Sequence, residues 1–333
     1  MDQGRLEAIL ESFSRVCLLV AGDVVVDEYL WGEVERISPE APVPVVRVER
    51  ESLLLGGAGN VVRNVAALGG RCVFCTVVGD DDDGRRVVDL LKDQGVDTQG
   101  VVVAEGRQTT RKTRVVARAQ QVVRYDRESL EAIPADVARR VLAFVDATRG
   151  GVDAAVLEDY GKGFFSRRLI GALMERLCEA GLAVAVDPKL ELSSYRGVTL
   201  LKPNLREAEF LTGVSVRSPE DLESVARRLR KSTSARDIVV TRGSDGATIF
   251  EGDRPAVEVP TVARDVFDVQ GAGDTSMATL ALARCAGATL LEAAVLANAA
   301  AGVVVAKLGT ATASRDELRE RLPDVVAVVE GRS

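Results

Sequence analysis

Short runs of apolar and β-branched residues at 16–21, 72–78, 154–157, 183–186 and 238–241 punctuate the 333-residue chain, and helix-period stretches follow most of them. In the stretches 87–93, 167–180 and 219–231 apolar residues return at intervals of three and four, the period of a helix with one buried face. A strand that is apolar on both faces has to be covered on both sides. Strands of that kind joined by helices therefore predict an α/β fold with a mostly parallel sheet between helical layers.

Two regions break the rhythm. Residues 28–55 and 101–125 contain alternating segments such as Val43-Pro44-Val45-Val46-Arg47-Val48 and Thr113-Arg114-Val115-Val116-Ala117-Arg118, with no helix between them. They predict a small β-lid over the end of the sheet, where ligands of such folds bind. No repeat, low-complexity tract or Pro/Gly/Ser-rich linker divides the chain, so residues 1–333 are expected to form one core carrying that lid.

Charge and composition narrow the function. A net charge of −7 argues against a nucleic-acid or anionic-membrane surface, and 47% hydrophobic residues suffice for a large core. The apolar run at 16–21 is too short to span a membrane and follows Glu7, Glu11 and Arg15, so a cytoplasmic protein without a secretory segment is expected. Five cysteines, an odd number, suit reduced thiols; Cys72 and Cys75 fall in one strand three residues apart, which sends their side chains to opposite faces. The chain has no histidine, which removes His triads, His metal sites and His bases together. Carboxylates, lysines and backbone dipoles remain for any chemistry.

Asp268-Val269-Gln270-Gly271-Ala272-Gly273-Asp274-Thr275 runs into an apolar stretch at 277–286, so a glycine turn flanked by carboxylates opens a helix. The amides of such a turn converge on one point and favour an anion there. Asp274 beside that point suits a base that holds a substrate hydroxyl while the amides of Gly271, Ala272 and Gly273 hold a phosphoryl group. The same residues also suit a plain strand-to-helix turn with an acid complementing the helix dipole.

Further motifs are Gly22-Asp23-Val24-Val25-Val26-Asp27 after the first strand, Gly56-Gly57-Ala58-Gly59-Asn60 before a helix, Lys202-Pro203-Asn204-Leu205-Arg206-Glu207, Thr241-Arg242-Gly243-Ser244-Asp245-Gly246 and Leu296-Ala297-Asn298. Asn204 and Glu207 also have the spacing of a capping box. With these motifs the chain resembles the PfkB, or ribokinase-like, sugar kinases over nearly its whole length. The resemblance implies a three-layer ribokinase-like fold, ATP and Mg²⁺ as cofactors, and Asp274 as catalytic base. It also implies sugar binding by Asp27, Gly56, Gly57 and Asn60, and nucleotide binding by Asn204, Leu205, Arg206, Glu207, Thr241, Gly243, Gly246 and Asn298. Glu207 would orient Mg²⁺ through water, Asp268 would lie near a K⁺ ion, and two lids would pair in a homodimer.

Within that family, Arg36-Ile37-Ser38-Pro39-Glu40-Ala41-Pro42-Val43-Pro44-Val45, Gln120-Gln121-Val122-Val123-Arg124-Tyr125-Asp126, Glu158-Asp159-Tyr160-Gly161-Lys162-Gly163 and Lys307-Leu308-Gly309-Thr310-Ala311-Thr312 are similar to the bacterial heptose 7-phosphate kinases. Ala119 stands before Gln120 where that subfamily often has Asn. The narrower resemblance implies a sugar phosphate as acceptor, with Lys112, Arg114, Gln121, Arg124 and Lys162 as anchors. In many relatives such a kinase is fused to a nucleotidyltransferase with a His-x-Gly-His site. A chain without histidine is expected to be a stand-alone kinase or the kinase half. Kinases for fructose phosphates or 2-keto-3-deoxygluconate are the neighbouring readings, and a sensor on the same fold is the distant one.

Overall fold

The computed structural model describes residues 1–118, 120–262, 266–329 and Gly331; Ala119 lies outside them. The strands are β1 (Cys17–Gly22), β2 (Val24–Ile37), β3 (Pro44–Gly57), β4 (Arg71–Gly79), β5 (Val101–Ala104), β6 (Arg111–Ala117), β7 (Gln120–Arg127), β8 (Ala154–Glu158), β9 (Ala183–Asp187), β10 (Leu200–Leu201), β11 (Asp237–Thr241), β12 (Ala247–Glu251) and β13 (Val257–Val259). The helices are α1 (Gln3–Ser12), α2 (Ala58–Ala67), α3 (Asp82–Asp93), α4 (Ala135–Thr148), α5 (Arg167–Glu179), α6 (Leu205–Thr212), α7 (Pro219–Thr233), α8 (Ala272–Cys285), α9 (Leu290–Val305) and α10 (Arg315–Val329).

Nine strands form the main sheet in the order β13-β12-β11-β10-β9-β8-β1-β4-β5, parallel from β11 through β5 and closed at one edge by two antiparallel strands. Alternation along β1 shows why both faces are covered. Leu18 and Val20 enter a core with α1, α2, α8, α9 and α10, while Leu19 and Ala21 enter a second core with α4, α5 and α7. Each of the leucine and valine side chains, fully buried, contributes about 1.5–3 kcal/mol. The result is the expected three-layer α/β fold. Cys72 packs against the first core and Cys75 in the second, on opposite faces of β4.

The lid is a second sheet of four strands in the order β3-β2-β6-β7, in which β2 and β6 run parallel and the outer pairs antiparallel. Its boundaries differ from the sequence expectation. Residues 101–104 belong to the main sheet as β5, parallel to β4, because Val102 and Ala104 bury into the second core. The lid instead begins at Val24, separated from β1 only by Asp23, and β3 runs directly into α2.

Candidate active site

The glycine turn lies where expected. Gly271 caps α8 with φ of 77°, a left-handed conformation that suits glycine, and a Cβ there would stand 2.7 Å from Asn60 Nδ2. The N–H groups of Gly271 and Gly273 have no carbonyl partner among the described residues, so they face the site as free donors at a helix N-terminus.

Asp274 stands in the first turn of α8 and is only 5% exposed. Tyr160 donates its hydroxyl to Oδ1, and Asn60 Nδ2 donates to Oδ2 at 2.7 Å. Burial pushes its pKa up to about 6, with the charge of Asp187 adding to the rise, while the two hydrogen bonds and Lys202 oppose it. The Asn60 amide is itself held in that orientation, because its Oδ1 accepts from Arg63 at 3.2 Å and from Asn64 at 3.3 Å.

Beneath the turn, at the ends of β8 to β10, lies a buried ionic floor. Lys202 is 2% exposed and pairs with Asp187 at 2.7 Å; its Nζ stands 3.9 Å from where a Cβ on Gly273 would be. Both carboxyl oxygens of Glu158 are buried without a hydrogen-bond partner among the described residues. Burial first, then the charges of Asp187 and Asp274, hold Glu158 far above the usual carboxylate range.

The lid presents the sugar-side residues. Asp27 accepts from Arg114 Nη1 at 2.6 Å, and its Oδ2 lies 3.4 Å from Thr310 Oγ1 and 2.0 Å from where a Cβ on Gly56 would stand. Only glycine at position 56 leaves room for that carboxylate, and Gly57 turns the chain into α2 with φ of 58°. Three of the four cationic anchors expected are already paired: Arg114 with Asp27, Arg124 with Asp126 at 3.0 Å, and Lys162 with Glu128. Lys112 has no carboxylate in ion-pair reach among the described residues; its ammonium lies 6.0 Å from the Tyr160 ring centre. Burial lowers its pKa, Asp27 opposes that, and the charge of Lys162 adds to it. A bulge in β7 sets Gln121 opposite Val116, which brings it to the face carrying Arg124, although its side chain is exposed.

A loop at 159–164 carries Tyr160 and Lys162 into the site. Buried Asp23 fixes it by accepting the N–H groups of Tyr160, Lys162 and Phe164 at 3.0, 3.1 and 2.9 Å.

At the start of α6, Asn204 and Glu207 form a full capping box, and Glu207 also pairs with Lys189. Asn204 bridges to Thr241, which brings the loop with Gly243 and Gly246 alongside. Leu205 corrects the sequence expectation for its side chain: it packs against the second core, leaving only its backbone at the helix start, while Arg206 points to solvent. Asn298 on α9 donates to the Pro260 carbonyl. Asp268 clamps two segments, accepting from Gln270 N–H at 3.0 Å and Gly309 N–H at 3.1 Å.

A family profile described as pfkB family carbohydrate kinase matches residues 18–317. The chain belongs to the pfkB family. This carbohydrate kinase is thus a phosphotransferase with an alcohol group as acceptor, and membership implies ATP as donor. It is 45% identical over 319 residues to the bifunctional protein HldE of Pelobacter propionicus, covering 96% of this chain and 65% of that one. The bifunctional protein HldE of Citrifermentans bemidjiense is 42% identical, with 96% and 66% covered, so the kinase spans about two thirds of the length of these relatives. Among solved structures, Escherichia coli phosphofructokinase-2 in complex with substrates and products superposes with a TM-score of 0.79 at 22% identity, covering 93% of this chain and 99% of that one. Arabidopsis thaliana ribokinase complexed with ribose and ATP gives 0.73 at 20% identity, covering 92% and 98%. These likenesses establish the ribokinase-like fold of the kinase.

The geometry adds residues to which sequence reasoning gave no role: Tyr160 on Asp274, Asp23 under its loop, and the Glu158–Asp187–Lys202 floor. The floor had one visible signal, since Glu158, Asp187 and Lys202 are charged residues at the ends of apolar strands.

Proposed function

We propose that this kinase transfers the γ-phosphoryl group of ATP to the anomeric 1-hydroxyl of D-glycero-β-D-manno-heptose 7-phosphate, giving the 1,7-bisphosphate. One observation carries the acceptor class: Lys112, a partly buried and unpaired cation beside the Tyr160 that holds Asp274, suits an acceptor bearing an anionic group. The segments 36–45, 120–126, 158–163 and 307–312 support a heptose within that class.

In this reading Asp274 orients the 1-hydroxyl and takes its proton late, so position matters more than basicity. Tyr160 and Asn60 keep the carboxylate in place, and the free Gly271 and Gly273 amides stabilise charge on the group in transfer, the expected Ala272 N–H being committed instead to the Val269 carbonyl at 3.4 Å. Asp27, Gly56, Gly57 and Asn60 shape the sugar pocket; Lys112, with Arg114, Gln121, Arg124 and Lys162 around it, takes the 7-phosphate. Asn204, the backbone of Leu205 and Arg206, Thr241, Gly243, Gly246 and Asn298 bind the nucleotide. Mg²⁺ supplies neutralisation of the nucleotide phosphates. Glu207, an oxygen donor, is the residue that would orient such a hard, water-retaining ion through its waters, and among the described residues no group of three or more Asp, Glu or Cys side chains is gathered to hold a metal directly. Asp268 offers one carboxylate whose oxygens already serve two amides, so no step is assigned to K⁺ there.

The test is ADP release from Mg-ATP with the β-heptose 7-phosphate, its α anomer, fructose 6-phosphate, fructose 1-phosphate, ribose and 2-keto-3-deoxygluconate. Turnover confined to the β-heptose phosphate, falling by about 10²–10⁴ in Asp274→Asn, is the expected result. Preference for another sugar would discard the heptose, and full activity of the variant would discard the base.

A further inference from the structure

Lid and glycine turn meet at a side chain that the reading above leaves without a role. Tyr29 lies on β2 two residues beyond Asp27, so the two side chains share a face. It is 3% exposed, yet its hydroxyl reaches out of the lid: it donates to Gln270 Oε1 at 2.7 Å and lies 3.2 Å from Thr310 Oγ1. Gln270 immediately precedes Gly271, and its N–H is held by Asp268. The Tyr29 ring is fixed by two neighbours, stacked on Trp31 with centroids 5.6 Å apart and planes within 12°, and approached by the Arg114 guanidinium at 5.3 Å.

A buried phenol needs some partner, and a purely structural role would end there. The choice of partner says more. Gln270 is half-buried and could be hydrated instead, but the bond joins residues 241 positions apart, one in the lid and one at the origin of the cradle. A rigid ring at one end and an amide-clamped glutamine at the other leave little slack. Any displacement of β2 is therefore felt by the turn that aims the amides of Gly271 and Gly273 and sets Asp274.

We propose that Tyr29 is a positioning residue for phosphoryl transfer: its hydroxyl latches lid strand β2 to Gln270, so that lid position and cradle geometry are set together. The inference rests on the kinase class and not on which sugar is phosphorylated.

The chain provides its own reporter, because Trp31, which stacks on Tyr29, is its single tryptophan. Tyr29→Phe keeps the ring and removes only the hydroxyl. With the acceptor that gives turnover in the sugar panel, kcat is expected to fall about 10- to 100-fold, the scale of a misplaced reacting group, while KM for ATP changes by less than about threefold. Gln270→Ala should give the same loss, and the double variant should be no worse than either single one, since the bond is already absent. Independently of any sugar, Mg-AMPPNP should shift Trp31 emission in the wild type and fail to do so in both variants. Unchanged kcat in Tyr29→Phe, losses that multiply in the double variant, no emission shift in the wild type, or a shift that survives in the variants would each overturn the latch. If Tyr29→Phe does not fold, Gln270→Ala carries the same readouts from the more exposed side. A panel without turnover would remove the heptose reading and leave the Trp31 measurement to judge the latch.

Discussion

At the scale of single residues, Asp274 is a carboxylate that the fold strips of water and then partly compensates with two hydrogen bonds, so its titration reports on its neighbours. Its bond from Tyr160 lowers the pKa; removing it in Tyr160→Phe should raise the value further above about 6. Transfer needs the ionised form, so the acid limb of kcat/KM should move to higher pH in that variant, a shift read from the pH–rate profile. Stability runs the other way. A folded pKa of about 6 against an ordinary 3.8 means the native state binds the proton more tightly, so this stabilisation is complete below about 3.8 and is lost as pH rises through 6. Asp274→Asn should accordingly melt no lower than the wild type at pH 7 while losing activity, which calorimetry checks. Asp274 was legible in the sequence because a glycine turn opening an apolar helix is a local signal. Tyr160 was not, because its partner is 114 residues away and nothing local distinguishes it from any loop tyrosine.

At the scale of elements, the 159–164 loop has little structure of its own and takes its shape from one buried carboxylate on the link between β1 and β2. Asp23→Ala would leave the amides of Tyr160, Lys162 and Phe164 without acceptors, at about 1–3 kcal/mol each. Hydrogen exchange at those amides should accelerate by orders of magnitude while the strands of the main sheet exchange as before, and activity should fall because Tyr160 is no longer held. Protection unchanged at 160–164 would show that the loop is held by other contacts. The parallel strands were legible because burial on both faces leaves a continuous apolar run. The lid boundary was less so, since Val101-Val102-Val103 has the same β character whether it joins β4 or β6, and only packing against the second core decides. The capping box at Asn204 and Glu207 was legible from spacing alone.

At the scale of the molecule, the lid ends in two unpaired edges, β3 and β7, and every residue of β7 is exposed. Val122, Val123 and Tyr125 on that strand, with Ile37 and Val43 at the tip of the β2–β3 hairpin, are more apolar than a solvated edge tolerates in isolation. We expect two lids to cover one another in a homodimer: light scattering should return twice the mass of one chain, and Val123→Lys should return a single chain. Among the described residues no helix is long and apolar enough to cross a membrane. The lid also has a bearing on recombination between relatives. It enters the chain as two inserts, Val24–Gly57, which runs straight into α2, and Arg111–Arg127, joined to β5 and α4 by residues 105–110 and 128–134, whereas the turn and Asp274 belong entirely to the core. Grafting both inserts onto another scaffold would therefore transplant one wall of the pocket while every core strand kept its register. The graft would be compatible only with a recipient whose residue ahead of the glycine turn can accept the hydroxyl that Tyr29 brings with it.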